Sequence, residues 1–325
     1  MDVNSIRQLA DRVRANVARV IVGKDDVIDL LLAAVTAGGH VLLEDVPGTG
    51  KTLLAKALAR SLACEFKRIQ FTPDLLPGDL TGVHVWDQAA GDFRFRPGPV
   101  FTNVLLADEI NRATPRTQSS LLEAMEERQV TVDGDTRALA RPFFVIATQN
   151  PIENQGTFPL PEAQLDRFLV KIGMRYPSTE EGLEILRRFQ GGDPLAQIGP
   201  VADADEVAAA QDGHRSVAVS DDVLAYLLAI VEKTRAHEEV ALGVSPRGSQ
   251  ALMRTAQAYA ALKGREFVAP DDVKMLLTPV LAHRMVLKNP ARTRESRQAA
   301  ILGEIARTVA VPSEESLRAL SQTAT

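Results

Sequence analysis

Lys51 and Thr52 close the run "DVPGTGKT", and a lysine followed by a hydroxyl behind two glycines is a set suited to holding phosphate. Gly48 and Gly50 let backbone N–H groups approach phosphate oxygens closely, and Pro47 and Thr49 complete the loop. Lys51 supplies charge for the outer phosphates and Thr52 offers a hydroxyl to Mg²⁺. The strict spacing asks for glycine at position 45, where this chain has Asp45. Aspartate tolerates strained backbone, so the loop survives, while a carboxylate near the phosphates would lower affinity. Fifty-seven residues after Lys51, "NVLLADEIN" ends an apolar run in Asp108, a ligand for the metal, and Glu109, a candidate base for an attacking water. A third run, "FFVIATQN", ends in Asn150, whose amide could orient that water. Taken singly, two acids after a strand or an asparagine at a turn are ordinary features. Coupled to the loop they describe Mg²⁺-dependent ATP hydrolysis. Charge developing on the γ-phosphate also needs a cation that the loop does not supply. Arg167, which abuts an apolar strand, and Arg247, at a helix start after Pro246, are the candidates, against the plain reading of each as a solvated surface residue.

These residues need elements to position them, and from residue 25 to about 174 the pattern alternates. Helices are expected at 25–37, 51–63 and 115–128, and strands at 40–44, 66–71, 104–108, 143–148 and 168–172. The strands are short continuous apolar runs, which suits a parallel sheet buried on both faces. Two polar segments interrupt this α/β layering. Residues 73–99 carry strand-like pieces at 82–87 and 92–96, and residues 129–140 carry the turn signal Asp133-Gly134, so each reads as a hairpin. Both are read as contact elements, with decorative loops as the alternative.

After Tyr176-Pro177 the composition turns helical, with Ser178 as an N-cap and Glu181 completing a capping box. A Gly, Pro and Ala-rich linker follows at 191–204, then helices at 220–236, 246–263 and 270–287, and a tail at 313–325. The expected division is a nucleotide-binding α/β domain over 1–176 and a smaller all-helical domain over 177–325, consistent with a length of 325 residues.

Composition narrows the class. A net charge of -5 gives no global pull toward nucleic acid or anionic lipid. Cys64 is the single cysteine, so no intrachain disulfide can form, and a reducing cytoplasm is the natural compartment. Residues 1–22 read as an amphipathic helix rather than a signal peptide, and no stretch approaches the roughly 20 apolar residues needed to span a bilayer. The five histidines (His40, His84, His214, His237, His283) lack ligand-like spacing and read as structural or surface residues.

The chain resembles the MoxR group of AAA+ ATPases. The resemblance runs through "VGKDDVIDLLLAAVTAGGHVLLEDVPGTGKT", "RIQFTPDLLPGDLTG", "GPVFTNVLLADEINRATPRTQSSLLEAMEERQVTV", "ATQNP" and "GTFPLPEAQLDRF". It continues in "SPRGSQALMRTAQAYA" and "VLAHRMVL", covering nearly the whole chain. It implies a P-loop AAA+ core, a parallel β-sheet flanked by helices, followed by an all-helical lid, and a hexameric ring with ATP between subunits. It implies Walker A roles for Lys51 and Thr52, Walker B roles for Asp108 and Glu109, and the first sensor for Asn150. Arg167 matches the arginine finger, Arg247 the second sensor, and Val22 and Gly23 the segment whose backbone borders adenine. The two hairpins match the family's insertion in the second helix and the hairpin before the first sensor. Members look like chaperones for metalloprotein maturation and complex assembly, often working with a von Willebrand A domain partner.

Two other readings compete with a protein-remodelling ATPase. A nucleic-acid motor would share the hairpin insertions, but the acidic balance and 5% aromatic content disfavour it. A non-catalytic nucleotide switch would not need Glu109 beside the metal ligand.

Overall fold

The computed structural model describes residues 1–44, 48–150, 156–289 and 294–312, so Asp45, Pro47 and the tail 313–325 lie outside it. Helices α1 (Val3–Ala18) and α2 (Asp25–Thr36) precede strand β1 (Val41–Glu44), helix α3 (Lys51–Ser61) and strand β2 (Phe66–Gln70). A short helix α4 (Pro77–Thr81) leads into the hairpin β3 (Gly82–Asp87) and β4 (Asp92–Pro97), followed by β5 (Val104–Asp108) and α5 (Pro115–Glu127). A second hairpin, β6 (Gln129–Val132) and β7 (Asp135–Ala138), precedes β8 (Phe144–Gln149), α6 (Glu162–Leu165) and β9 (Val170–Ile172). The remainder comprises α7 (Thr179–Gln190), α8 (Ala204–Gly213), α9 (Asp221–Ala236), β10 (Val240–Leu242), α10 (Pro246–Leu262), α11 (Pro270–Leu281), β11 (Val286–Leu287) and α12 (Arg294–Thr308).

Five strands form one parallel sheet in the order β2-β5-β8-β1-β9. Side chains alternate across a strand, and each central strand feeds two apolar clusters. Val41 and Leu43, with Leu106 and Ile146, pack toward α1, α2, α3 and α10. Leu42, with Leu105, Ala107, Val145 and Ala147, packs toward Phe71, Leu121, Leu122, Phe143 and Phe168. Burial on both faces is why these strands read as unbroken apolar runs. The first cluster continues without a break into α9, α10 and α11, so the C-terminal helices share a core with α1 and α2.

Position along the strands matters as much as the face. The loop ending in Lys51 follows β1 at the strand-end edge. Helix α5 returns from that edge, and its last residues reach the strand-start edge, where Arg128 donates to the carbonyls of Phe143 and Gly38. His40 fastens the same edge: its Nε2–H donates to the Met125 carbonyl at 3.0 Å, and its Nδ1 accepts the Val145 N–H at 3.0 Å. One donor and one acceptor are what a neutral imidazole offers.

Several elements differ from expectation. The helix expected over 270–287 ends at Leu281, because a single 3-10 turn at Ala282–Arg284 sends His283 and Arg284 inward and leads to β11. Strand β11 pairs antiparallel with β10, so among the described residues the regular structure of the C-terminal part is helical apart from this pair and a single bridge between Ala218 and Phe267. The expected linker contains a 3-10 turn at Pro194–Gln197 and ends in Asp203, which caps α8 through a reciprocal bond pair with Glu206. The capping box of α7 is present, with the Ser178 N–H donating to Glu181 Oε2 at 2.8 Å and the Glu181 N–H to Ser178 Oγ at 3.2 Å.

Burial, followed by the nearby Arg128 charge, lowers the His40 pKa from 6.5 to about 3. Unfolding therefore takes up a proton at this site below pH 6.5, so its contribution is complete above that value and is lost as pH falls toward 3. His40→Gln is expected to be less stable than the parent at neutral pH, yet to lose stability less steeply on acidification. Urea unfolding of both proteins across that range checks it, and equal slopes would remove His40 as a source of acid sensitivity.

Candidate active site

At the strand-end edge, α3 begins at Lys51 directly after Gly50. Gly48 (φ +85°) and Gly50 (φ +92°) occupy the left-handed region, and no atom lies within 4 Å of where a side chain would start. Glycine is thus required there by backbone conformation rather than by space. Lys51 and Thr52 lie half-buried in the first turn of α3, whose N–H groups and positive end favour an anion.

Asp108 ends β5, and a single hydroxyl on β8 ties it to Glu109. Thr148 Oγ1 donates to Asp108 Oδ1 at 2.6 Å and accepts the Glu109 backbone N–H at 2.9 Å. Thr148 is fully buried, so this hydroxyl has no water to compete for it. The Glu109 backbone lies at φ +56°, a region that costs a residue with a side chain of order 1–3 kcal/mol, and its amide bond to Thr148 holds it there. The Glu109 carboxylate accepts from Gln70 Nε2 at 2.8 Å and pairs with Arg112 Nε at 2.8 Å. The second oxygen of Asp108 accepts from Arg68 Nη2 at 2.6 Å. Asn150 lies buried just past the end of β8. A carboxylate at the end of β5 and a hydroxyl in the first turn of α3 are hard oxygen donors, so Asp108 and Thr52 fit Mg²⁺, which would share Asp108 with Arg68.

Val22 and Gly23 join α1 to α2. Gly23 takes φ +67°, and a Cβ there would stand 1.9 Å from Glu181 Oε1, so glycine lets the start of α7 lie against this segment. Lys24 reinforces the contact, its Nζ 3.9 Å from Glu181 Oε2.

Arg167 and Arg247 occupy the opposite edge. Arg167 precedes β9, Arg247 stands in the first turn of α10, and both reach one carboxylate near the end of α5. Arg167 Nε lies 3.2 Å from Glu126 Oε2, and Arg247 Nη2 lies 3.0 Å from Glu126 Oε1. They line a cavity of about 300 Å³ shared with Arg128, Arg254, Arg284 and the residues preceding β1. Strand β1 runs from this cavity toward the loop ending in Lys51, and four residues at roughly 3.3 Å each put about 13 Å of strand between them. The structure therefore gathers Lys51, Thr52, Asp108, Glu109 and Asn150 at one edge and Arg167 with Arg247 at the other.

Sequence reasoning missed Thr148, Arg68, Gln70, Glu126 and Arg284. A hydroxyl at the end of an apolar strand and an arginine within the apolar "VLAHRMVL" were the available signals for Thr148 and Arg284. Arg68, Gln70 and Glu126 look like ordinary surface residues until the strands are paired.

Both hairpins form, and they touch. His84 Nδ1 lies 2.7 Å from Asp133 Oδ2, and the Arg137 guanidinium sits 4.1 Å above the Phe95 ring. Trp86 and Phe93 stack edge-on with centroids 5.2 Å apart and are 51% and 62% exposed, leaving an aromatic tip in solvent.

Residues 40–170 match the ATPase family associated with various cellular activities (AAA), and residues 232–305 match the AAA lid domain. The chain is similar to YeaC of Bacillus subtilis, an uncharacterised protein, at 52% identity over 93% of this chain and 94% of that one. It is similar to Chaperone MoxR1 of Mycobacterium tuberculosis at 41% identity, covering 93% and 82% of the two chains. A crystal structure from Cytophaga hutchinsonii, of a protein assigned as an ATPase, superposes with a TM-score of 0.88 at 38% identity, covering 96% and 97%. No described helix is long and apolar enough to cross a membrane. With its parallel AAA+ sheet and helical lid, the chain belongs to the MoxR family of AAA+ ATPases.

Proposed function

We propose that this protein is a Mg²⁺-dependent ATPase that works as a homo-oligomeric, six-membered ring in the cytoplasm and couples hydrolysis to remodelling or maturation of a protein client. The observation that carries the reading is the separation of the phosphate loop from Arg167 and Arg247 across one sheet. A cation at the strand-start edge serves a nucleotide on an adjacent copy better than its own.

Residues 1–176 hold the nucleotide in this reading, and residues 177–325 form the lid. The backbone at Val22 and Gly23 borders the adenine, while Gly48, Thr49, Gly50 and Lys51 cradle the phosphates, with Pro47 leading into the loop. Thr52 and Asp108 would hold Mg²⁺, which neutralises phosphate charge when bound. Glu109 accepts a proton from the attacking water, and Asn150 orients that water toward the γ-phosphate. For the base to act, its carboxylate must exchange its bonds to Gln70 and Arg112 for water. Arg167 and Arg247 leave Glu126 and stabilise charge on the adjacent copy's phosphates. The exposed Trp86–Phe93 tip and the touching hairpins offer an apolar surface for a client, and a von Willebrand A domain protein is the proposed partner. DNA-stimulated, salt-sensitive hydrolysis would instead favour a nucleic-acid motor.

Glu109→Gln is expected to bind ATP like the parent while turnover falls on the order of 10²-fold or more, whereas Lys51→Ala loses binding as well. Nucleotide affinity and phosphate release measured side by side check this, and parental turnover in the Glu109 variant would sink its role as base.

Arg167→Ala is expected to bind nucleotide yet hydrolyse on the order of 10³-fold more slowly. Mixing it with Lys51→Ala subunits should restore hydrolysis by placing an intact loop beside an intact arginine. No recovery in rings shown to contain both subunits would assign Arg167 a role within its own copy.

A further inference from the structure

The motif "VLAHRMVL" has no part in the chemistry above, yet its arginine is among the most buried charges of the chain. Arg284 is 6% exposed and lies in the turn after α11, over a hundred residues from the segment it contacts. Its Nε donates to Asp166 Oδ1 at 2.7 Å. Its Nη2 donates to the carbonyls of Asp166 at 3.3 Å and Phe168 at 2.7 Å, and its Nη1 to the carbonyl of Leu169 at 3.3 Å. The Asp166 and Phe168 carbonyls flank Arg167 on either side, so one guanidinium grips the peptide that carries it. The fork of fixed donors suits this task, and lysine, with a single nitrogen, could not reach all four acceptors.

The neighbours complete the grip. Ser245 Oγ lies 3.4 Å from Asp166 Oδ2, and Ser245 caps the helix whose first turn bears Arg247. His283 Nε2 contacts the Phe168 carbonyl at 3.1 Å. Burial pulls the Arg284 pKa down to about 10, well above neutrality, so the group remains a cation.

We propose that Arg284 is a positioning residue for the reaction: through Asp166 and the carbonyls flanking Arg167, it couples the helical part of the chain to the arginine presented at the strand-start edge. Lid and arginine then move as one body, and loss of the grip misplaces Arg167 without touching the phosphate loop. The inference rests on the proposed action of Arg167 on an adjacent copy.

The test uses full-length protein carrying Arg284→Lys, with Asp166→Asn as the second variant should the first fail to fold. Either variant is expected to bind ATP with parental affinity and to hydrolyse it on the order of 10²-fold more slowly, the scale of a displaced catalytic group. Mixed with Lys51→Ala subunits, which keep an intact arginine, the variant's own loops should regain hydrolysis. Mixed with Arg167→Ala subunits, no recovery is expected, because neither copy presents a working arginine. A purely structural defect would leave both mixtures inactive. The control mixture of Arg167→Ala with Lys51→Ala separates the two failures. If the control recovers and the Arg284 mixture does not, this inference alone falls. If the control stays inactive in confirmed mixed rings, the reading of Arg167 and this inference fall together. Parental hydrolysis by Arg284→Lys would also overturn it.

Discussion

The sheet has two edges, and its strands cannot be shortened to bring them together. Strand β1 is four residues long and its apolar side chains are completely buried, so it serves both clusters at once. Its start is fixed by His40 against Met125 and Val145, and its end leads toward the proposed phosphate loop. The groups proposed to hold phosphate and metal hang from strand ends, where first-turn N–H groups and a helix dipole are available. The arginines hang from strand starts, beside α5, α10, the segment before β9 and the turn after α11. In one copy the two sets do not meet, which makes assembly a condition of the proposed chemistry.

Within the strand-end set, Thr148 links two acids that would otherwise be placed independently. Its hydroxyl donates to Asp108 and accepts from the amide of Glu109. Geometry at the proposed metal ligand and at the proposed base is thereby coupled through one buried oxygen, with the left-handed backbone of Glu109 as the strained element it stabilises. Because β8 lies between β5 and β1, the same strand that supplies Thr148 also ends beside Asn150.

All five sheet strands, helix α3 behind its glycines and Asp108 at the end of β5 were legible because apolar runs flanked by glycine or acid leave a strong local signal. Both hairpins were legible from turn residues. What escaped depends on pairings distant in sequence. Glu126 and Arg284 acquire meaning only when α5, α10 and the turn after α11 converge on the segment preceding β9, and periodicity carries no information about that convergence. The end of α11 was misplaced for the same reason: residues 282–287 keep an apolar pattern, while the inward pull on His283 and Arg284 breaks the helix. Strand β10 and helix α8 lie where short or polar-flanked stretches give propensity little to work on.

The three ion pairs at the strand-start edge are of two kinds, exposed at Glu126 and buried at Arg284, and the difference has a mechanical meaning. Glu126 and its partners Arg167 and Arg247 are all about a third exposed or more, so each contact is worth about 0–1 kcal/mol after solvent screening. Such a pair orders the arginines yet is weak enough to give way to the phosphate proposed as their partner. Arg284 and Asp166 are far less exposed, and a partner deleted from a buried pair costs about 3–5 kcal/mol because the remaining charge is stranded. A weak contact at the tip and a strong one at the root let the side chain of Arg167 exchange partners while its backbone stays in place. In the proposed ring, a phosphate that draws Arg167 away from Glu126 would act on a side chain whose backbone the turn after α11 holds fast.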